Sequence, residues 1–146
     1  MTTFVLDAGV AAKWFLPAPA EDLVPEAFQL LRQYELGKLD FVVPDLFWAE
    51  FGNLAWNAAR RGRWPTTDAM TAVREILSRQ FLTFSSRELL NPAFEIAGRF
   101  DRTVYDSLYV ALAVELHTDL ITADERLVNA LAARFPVKWL GSFSVS

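Results

Sequence analysis

Three apolar residues in succession, Phe4-Val5-Leu6, stand near the start of the chain and end on a carboxylate, Asp7. An apolar run without alternation predicts a strand buried on both faces, as in the middle of a parallel sheet. The period then changes. Residues 8–16 predict a short helix ended by Pro17, followed by a loop over 17–25 that carries the acidic pair Glu21-Asp22. Pro25 suits the first turn of a second helix, with Ala27, Leu30, Leu31 and Tyr34 as its apolar stripe, Leu39 at the same spacing, and Gly37 as its stop. Phe41-Val42-Val43 predicts a second buried strand, after which Pro44-Asp45 opens a long helix with Asp45 as its cap; Gly62 and Pro65 mark its end.

The second half repeats this alternation. Thr66 or Thr67 caps a helix to about Gln80, with Ala69, Val73, Ile76 and Leu77 turned inward, and residues 81–84 predict a third strand. Residues 86–90 read as a helical turn, with a separate helix starting at Asn91-Pro92 and running to about Phe100. Thr103 starts a further helix that reaches His117, where a cation favours the helix end and needs no catalytic role. Leu120-Ile121-Thr122 predicts a strand, residues 124–134 a helix and residues 137–140 a last strand. Strands alternating with helices, with no internal repeat or linker, predict one α/β domain over residues 1–146, a three-layer α/β/α sandwich around a mainly parallel sheet.

Composition narrows the chemistry. With 146 residues and 53% hydrophobic content the chain can bury a sizeable core, and disorder is excluded. No apolar run is long enough to span a bilayer. The strand at the very start leaves no room for a signal peptide, and the lack of cysteine excludes disulfides and thiolate metal sites, which together favour the cytoplasm. A single histidine argues against a histidine-rich zinc site and a Ser-His-Asp triad. The net charge of −4 comes from 18 acids and 14 bases. Setting aside Asp7, Glu50, Asp106 and Asp124 leaves the two signs balanced, so a site built from these four would hold the whole excess of negative charge.

Each of the four has a structural reading of its own. Asp7 follows a strand and can cap the next helix. Glu50 lies in the apolar segment Leu46-Phe47-Trp48-Ala49-Glu50-Phe51 and can belong to an exposed polar stripe with Asn53, Asn57 and Arg60. Asp106 completes a capping-box pattern begun by Thr103, and Asp124 suits an N-cap. Considered jointly they read differently. Strand carboxyl ends and helix N-termini share one edge of a parallel sheet, which is where such folds bind ligands. Helix dipoles alone do not neutralise four carboxylates, whereas Mg²⁺ or Mn²⁺ takes carboxylate oxygens readily. One or two such ions activate water and shield a phosphoryl group.

These segments, in this order, resemble the PIN-domain ribonucleases and, more narrowly, the VapC-type toxins of prokaryotic toxin–antitoxin pairs. The resemblance rests on Phe4 through Ala8 with Lys13-Trp14-Phe15, Pro44-Asp45 through Glu50 and Asn53, Thr103 through Ala113, and Leu120 through Asp124. It implies a PIN-like fold and an endoribonuclease that hydrolyses RNA phosphodiesters with a metal-activated water. Asp7, Glu50, Asp106 and Asp124 would hold one or two Mg²⁺ or Mn²⁺ ions, with Thr122 and Asn53 in support. A small cognate antitoxin protein and a homodimer are implied as partners. Gly9 departs from the family, which usually has a serine or threonine there. That departure keeps open a catalytically weak or inactive PIN-fold module acting through a protein partner. A third alternative, a phospho-acceptor using Asp7, lacks a well-placed lysine after a late strand. RNA contacts are expected at Lys13, Arg60, Arg61 and Arg63, although arginines at a helix end also serve its dipole. The aromatic residues Trp14, Phe15, Phe47, Trp48 and Trp56 are expected in the core, with some lining a groove for the antitoxin or a dimer contact.

Overall fold

A computed structural model describes residues 1–16 and 21–143, so part of the expected loop over 17–25 lies outside the described residues. Five strands form one sheet: β1 (Thr2–Leu6), β2 (Leu39–Pro44), β3 (Leu82–Phe84), β4 (Asp119–Thr122) and β5 (Val137–Trp139). Their order is β3-β2-β1-β4-β5 and every pairing is parallel. Seven α-helices are described: α1 (Ala8–Ala12), α2 (Val24–Glu35), α3 (Leu46–Arg60), α4 (Thr66–Ser78), α5 (Ser86–Phe100), α6 (Val104–Glu115) and α7 (Glu125–Leu131). The chain moves outward from β1 to β3, then crosses back to place β4 on the other side of β1. With the right-handed crossovers general to parallel sheets, that reversal puts helices on both faces, which is the expected α/β/α sandwich.

The core follows the predicted apolar runs. Val5, Leu6, Phe41, Val43, Leu120 and Ile121 are fully buried, so β1, β2 and β4 are covered on both faces. Helix α6 lies across β1, β2 and β4, and residues Ser107 to Ala113 are buried without a break. Phe41, Phe47, Trp48 and Phe81 pack ring against ring over the β2–β3 side, with Tyr34 joining from α2.

Several local expectations are corrected. Helix α1 stops at Ala12 rather than continuing to Leu16, because the amides of Lys13, Trp14 and Phe15 bond three residues back and tighten the chain into turns. Leu39 is in β2, not on the α2 stripe. Asp45 makes no side-chain cap to its own helix; its carboxylate accepts from the Ser86 amide and hydroxyl, joining the start of α3 to that of α5. Neither Thr66 nor Thr67 caps α4, whose N-cap position is Pro65 with no side-chain cap. In α4 the buried stripe is Ala69, Ala72 and Ile76, which leaves Leu77 on the flank at 54% exposure.

The separate turn and helix expected around Asn91-Pro92 are one continuous helix with Pro92 inside it. Proline there removes one backbone donor. The packing of Leu89, Ala93 and Ile96 against α6 outweighs that loss, and Ser85 caps the first turn by accepting the Arg87 amide at 3.2 Å. The last helix is shorter than expected, with Asp124 as its cap rather than its first residue, and β5 gives way to a 3-10 turn at Leu140–Ser142.

Candidate functional site

The strand order reverses direction between β1 and β4, and in open α/β sheets that crevice is the ligand position. Asp7 directly follows β1, and its amide donates to the Ile121 carbonyl at 3.2 Å, extending the ladder to the first residue of the crevice. Its Oδ2 accepts the Thr122 hydroxyl at 2.7 Å and its Oδ1 the Gly9 amide at 3.4 Å. Asp7 thus caps α1 and also lines a cleft at the crevice, so the two placements weighed in the sequence do not exclude each other. Thr122 is fully buried and does two jobs, since its oxygen also accepts the Asp124 amide at 3.1 Å. Asp124 caps α7, with Oδ1 accepting the amides of Arg126 at 3.0 Å and Leu127 at 3.3 Å.

The remaining two acids come from the helices. Thr103 caps α6 by accepting the Asp106 amide at 3.0 Å, which places the Asp106 carboxyl in the first turn. Glu50 is half-buried at the inner end of the polar stripe that was its alternative reading. Asn57 and Arg60 pair with each other at 3.0 Å on the surface, whereas Glu50 Oε1 accepts the hydroxyl of buried Tyr109 at 2.6 Å. A cleft of about 240 Å³ is lined by Asp7, Ala8, Gly9, Glu50, Asn53 and Leu54. Asn53, which is exposed, lines the cleft together with Glu50.

Electrostatics join the four. Burial, opposed by the Thr122 and Gly9 hydrogen bonds and reinforced by the charges of Glu50 and Asp106, raises Asp7 from an ordinary 3.8 to about 6. Glu50 is raised by burial and then by Asp106, against the Tyr109 hydrogen bond. Asp106 is raised by burial and then by Asp124, with the Thr103 hydrogen bond and then Arg102 pulling the other way. Each acid is thus within electrostatic reach of another, from Asp7 through Glu50 and Asp106 to Asp124. As the side chains stand, no group of three or more such residues among those described forms a ready metal cage. Asp7 accepts from Thr122 and Gly9, Glu50 from Tyr109, and Asp124 from the Arg126 and Leu127 amides. All-oxygen donors with raised proton affinity are the chemistry that a hard divalent cation relieves.

Other expected residues are placed differently. Lys13, anticipated at an RNA-facing rim, is only 5% exposed and pairs with Glu21 at 3.1 Å and Asp22 at 3.0 Å. It fastens the loop before α2 and has no free face for a phosphate. Arg63 joins the same group at 3.6 Å from Glu21, while Arg60 and Arg61 are exposed beside it. Trp14, Phe47 and Trp48 pack as expected and Phe15 lies against Phe51, but Trp56 is 56% exposed. With Gly52, Ala59, Ala69, Met70 and Val73 it lines an apolar groove of about 600 Å³ between α3 and α4. Tyr109 is the residue that the sequence reading passed over. Its one signal was a polar tip three positions after Asp106, on the same face of an otherwise aliphatic helix.

Comparison with known proteins places these features. A family model described as PIN domain matches residues 4–132. The curated protein Ribonuclease VapC3 of Pyrobaculum aerophilum is 31% identical over 134 residues, covering 90% of this chain and 94% of that protein. Among solved structures, PAE2754 from Pyrobaculum aerophilum superimposes with a TM-score of 0.69 at 20% identity, over 97% of this chain and 85% of the other. A toxin–antitoxin complex from Klebsiella pneumoniae gives 0.62 at 17% identity, over 92% and 95% of the two chains. VapBC2 from Rickettsia felis, bound to a DNA fragment from its promoter, gives 0.64 at 11% identity, over 94% and 98%. At these identities the solved structures speak for the fold.

Proposed function

The chain belongs to the PIN domain family, and on that premise we propose that it is an endoribonuclease, the toxin of a toxin–antitoxin pair, dependent on Mg²⁺ or Mn²⁺. The observation that carries this reading is one cleft lined by Asp7 and Glu50, with Asp106 in the first turn of α6 and Asp124 at the cap of α7. A relative at 31% identity is named a ribonuclease, which supports RNA as the substrate class.

The four carboxylates would hold one or two ions. When bound, a divalent cation supplies charge to neutralise the cluster, shields a phosphoryl oxygen and acidifies water for attack on phosphorus. The chain's own residues prepare that site. Thr122 steers Asp7 through one hydroxyl and fixes the Asp124 backbone through the same oxygen, so the ends of β1 and β4 keep their spacing. Tyr109 holds Glu50 toward the cleft rather than toward solvent, and the α6 cap sets Asp106 beside it. Exposed Arg60, Arg61 and Arg63 form a basic rim for the RNA backbone, and Lys13 is left out of it by its burial.

We assign the α3–α4 groove around Trp56 and Met70 to a segment of the antitoxin, since its apolar lining suits an amphipathic helix. Exposed Leu90 and Phe94 on α5 give a homodimer an apolar contact. Among the described residues no helix is long and apolar enough to cross a membrane, and the toxin reading puts the protein in the cytoplasm.

The test is cleavage by the purified chain, free of antitoxin, of structured and single-stranded RNA with Mg²⁺ or Mn²⁺ supplied. Cleavage abolished by EDTA and by Asp106→Asn, with folding retained, is the expected result. Absence of cleavage of every RNA with either ion overturns the enzymatic reading and leaves a PIN-fold module acting through a protein partner.

A further inference from the structure

We propose that Tyr109 is a positioning residue of the acidic site, presetting Glu50 for a divalent cation. The inference rests on the metal-dependent reading above and deepens it. Tyr109 is on α6, one turn beyond Asp106, and is almost wholly buried. Its hydroxyl donates to Glu50 Oε1 at 2.6 Å, across the gap between α6 and α3. One phenol therefore joins the helix of Asp106 to the glutamate of α3.

Chemistry gives the contact its sense. Glu50 has three side-chain torsions and projects from an apolar helix, so without a partner its carboxylate would sample several rotamers. A short hydrogen bond between phenol and carboxylate fixes one of them. It engages Oε1 and leaves Oε2 free, and no other hydrogen-bond partner of Glu50 is described. A buried phenol needs an acceptor, and the one Tyr109 has is the half-buried carboxylate of Glu50. Partners that orient metal ligands in this way are worth roughly ten- to a hundred-fold in metal affinity.

The experiment is a Mn²⁺ titration by calorimetry of the wild type, Tyr109→Phe, Glu50→Gln and the double variant, with circular dichroism and melting recorded for each. Phenylalanine fills the same space, so the fold is kept. The expected result is that Tyr109→Phe weakens Mn²⁺ binding by about ten-fold or more. In the Glu50→Gln background the same change has no further effect, because Tyr109 acts only through Glu50. Tyr109→Phe binding within two-fold of wild type, while Glu50→Gln is weakened, overturns the inference alone. An equal loss in both backgrounds also overturns it, by showing a merely structural role. A wild type that binds no Mn²⁺ overturns the metal reading first and this inference with it. A second measurement needs no variant: the Tyr109 hydroxyl proton should be slow to exchange and show a nuclear Overhauser contact to the Glu50 methylenes. A freely exchanging hydroxyl overturns the proposal.

Discussion

Replacing Asp7 with asparagine should make the metal-free protein more stable at neutral pH, although the residue stands at the centre of the proposed site. The folded chain raises the Asp7 carboxyl from 3.8 to about 6, through burial and then the charges of Glu50 and Asp106. Between those two pH values the folded state binds a proton that the unfolded state has released, so stability falls as pH rises. The loss is complete above about pH 6. At about 1.4 kcal/mol for each tenfold in proton affinity, ionising Asp7 costs the native state about 3 kcal/mol. Asparagine carries no such charge; its single carbonyl can keep the Thr122 hydrogen bond, while the long Gly9 contact is lost. In EDTA at pH 8, Asp7→Asn should therefore be more stable by up to about 3 kcal/mol, moving the urea midpoint up by as much as about 1 to 3 M. Near pH 4 the two proteins should unfold together. Adding Mn²⁺ at pH 8 should stabilise the wild type and leave the variant unchanged, because an ion bound only to the folded state relieves the same repulsion. A variant no more stable than wild type at pH 8, or a gain that does not change with pH, would refute the reasoning.

Three further outcomes are expected from the same assays. Thr122→Val removes the hydroxyl that donates to Asp7 Oδ2 and accepts from the Asp124 amide, and should cost about 1–3 kcal/mol at pH 8 and less near pH 4, where Asp7 is neutral. Gly9→Ser meets nothing within 4 Å at its Cβ, so the hydroxyl usual in the family should fit, with about 0.5 kcal/mol gained in melting measurements from higher helix propensity and no loss of cleavage. Gly141→Ala would place its Cβ 2.5 Å from the Trp139 ring, and about 1–3 kcal/mol should be lost in urea unfolding without any change in metal affinity.

The features read correctly in advance are those set by short-range pattern. Uninterrupted apolar runs mark β1, β2 and β4 because strands covered on both faces leave no room for polar alternation. Asp7 and Asp124 followed from that, since a residue just past such a strand has only one edge of the sheet to occupy. What failed was decided at long range. Pro92 is a local stop signal that packing against α6 overrides. Lys13 carries a charge that sequence assigns to solvent, yet Glu21 and Asp22 fold back on it from eight and nine residues away. Tyr109 drew no reading of its own because its partner, Glu50, is 59 positions distant and on a different helix. Glu50 itself showed as an anomaly in an apolar segment, but only the fold supplied the group that explains it.

The central claim is that Asp7, Glu50, Asp106 and Asp124 form one divalent-cation site at the crevice between β1 and β4. Its most direct test is an anomalous difference map from crystals of the wild-type chain soaked in MnCl₂. The account predicts one or two peaks within coordination distance of the Asp7 and Asp106 carboxylates, absent from crystals of Asp106→Asn. A map with no peak at that crevice, or with manganese bound only elsewhere on the chain, would contradict it.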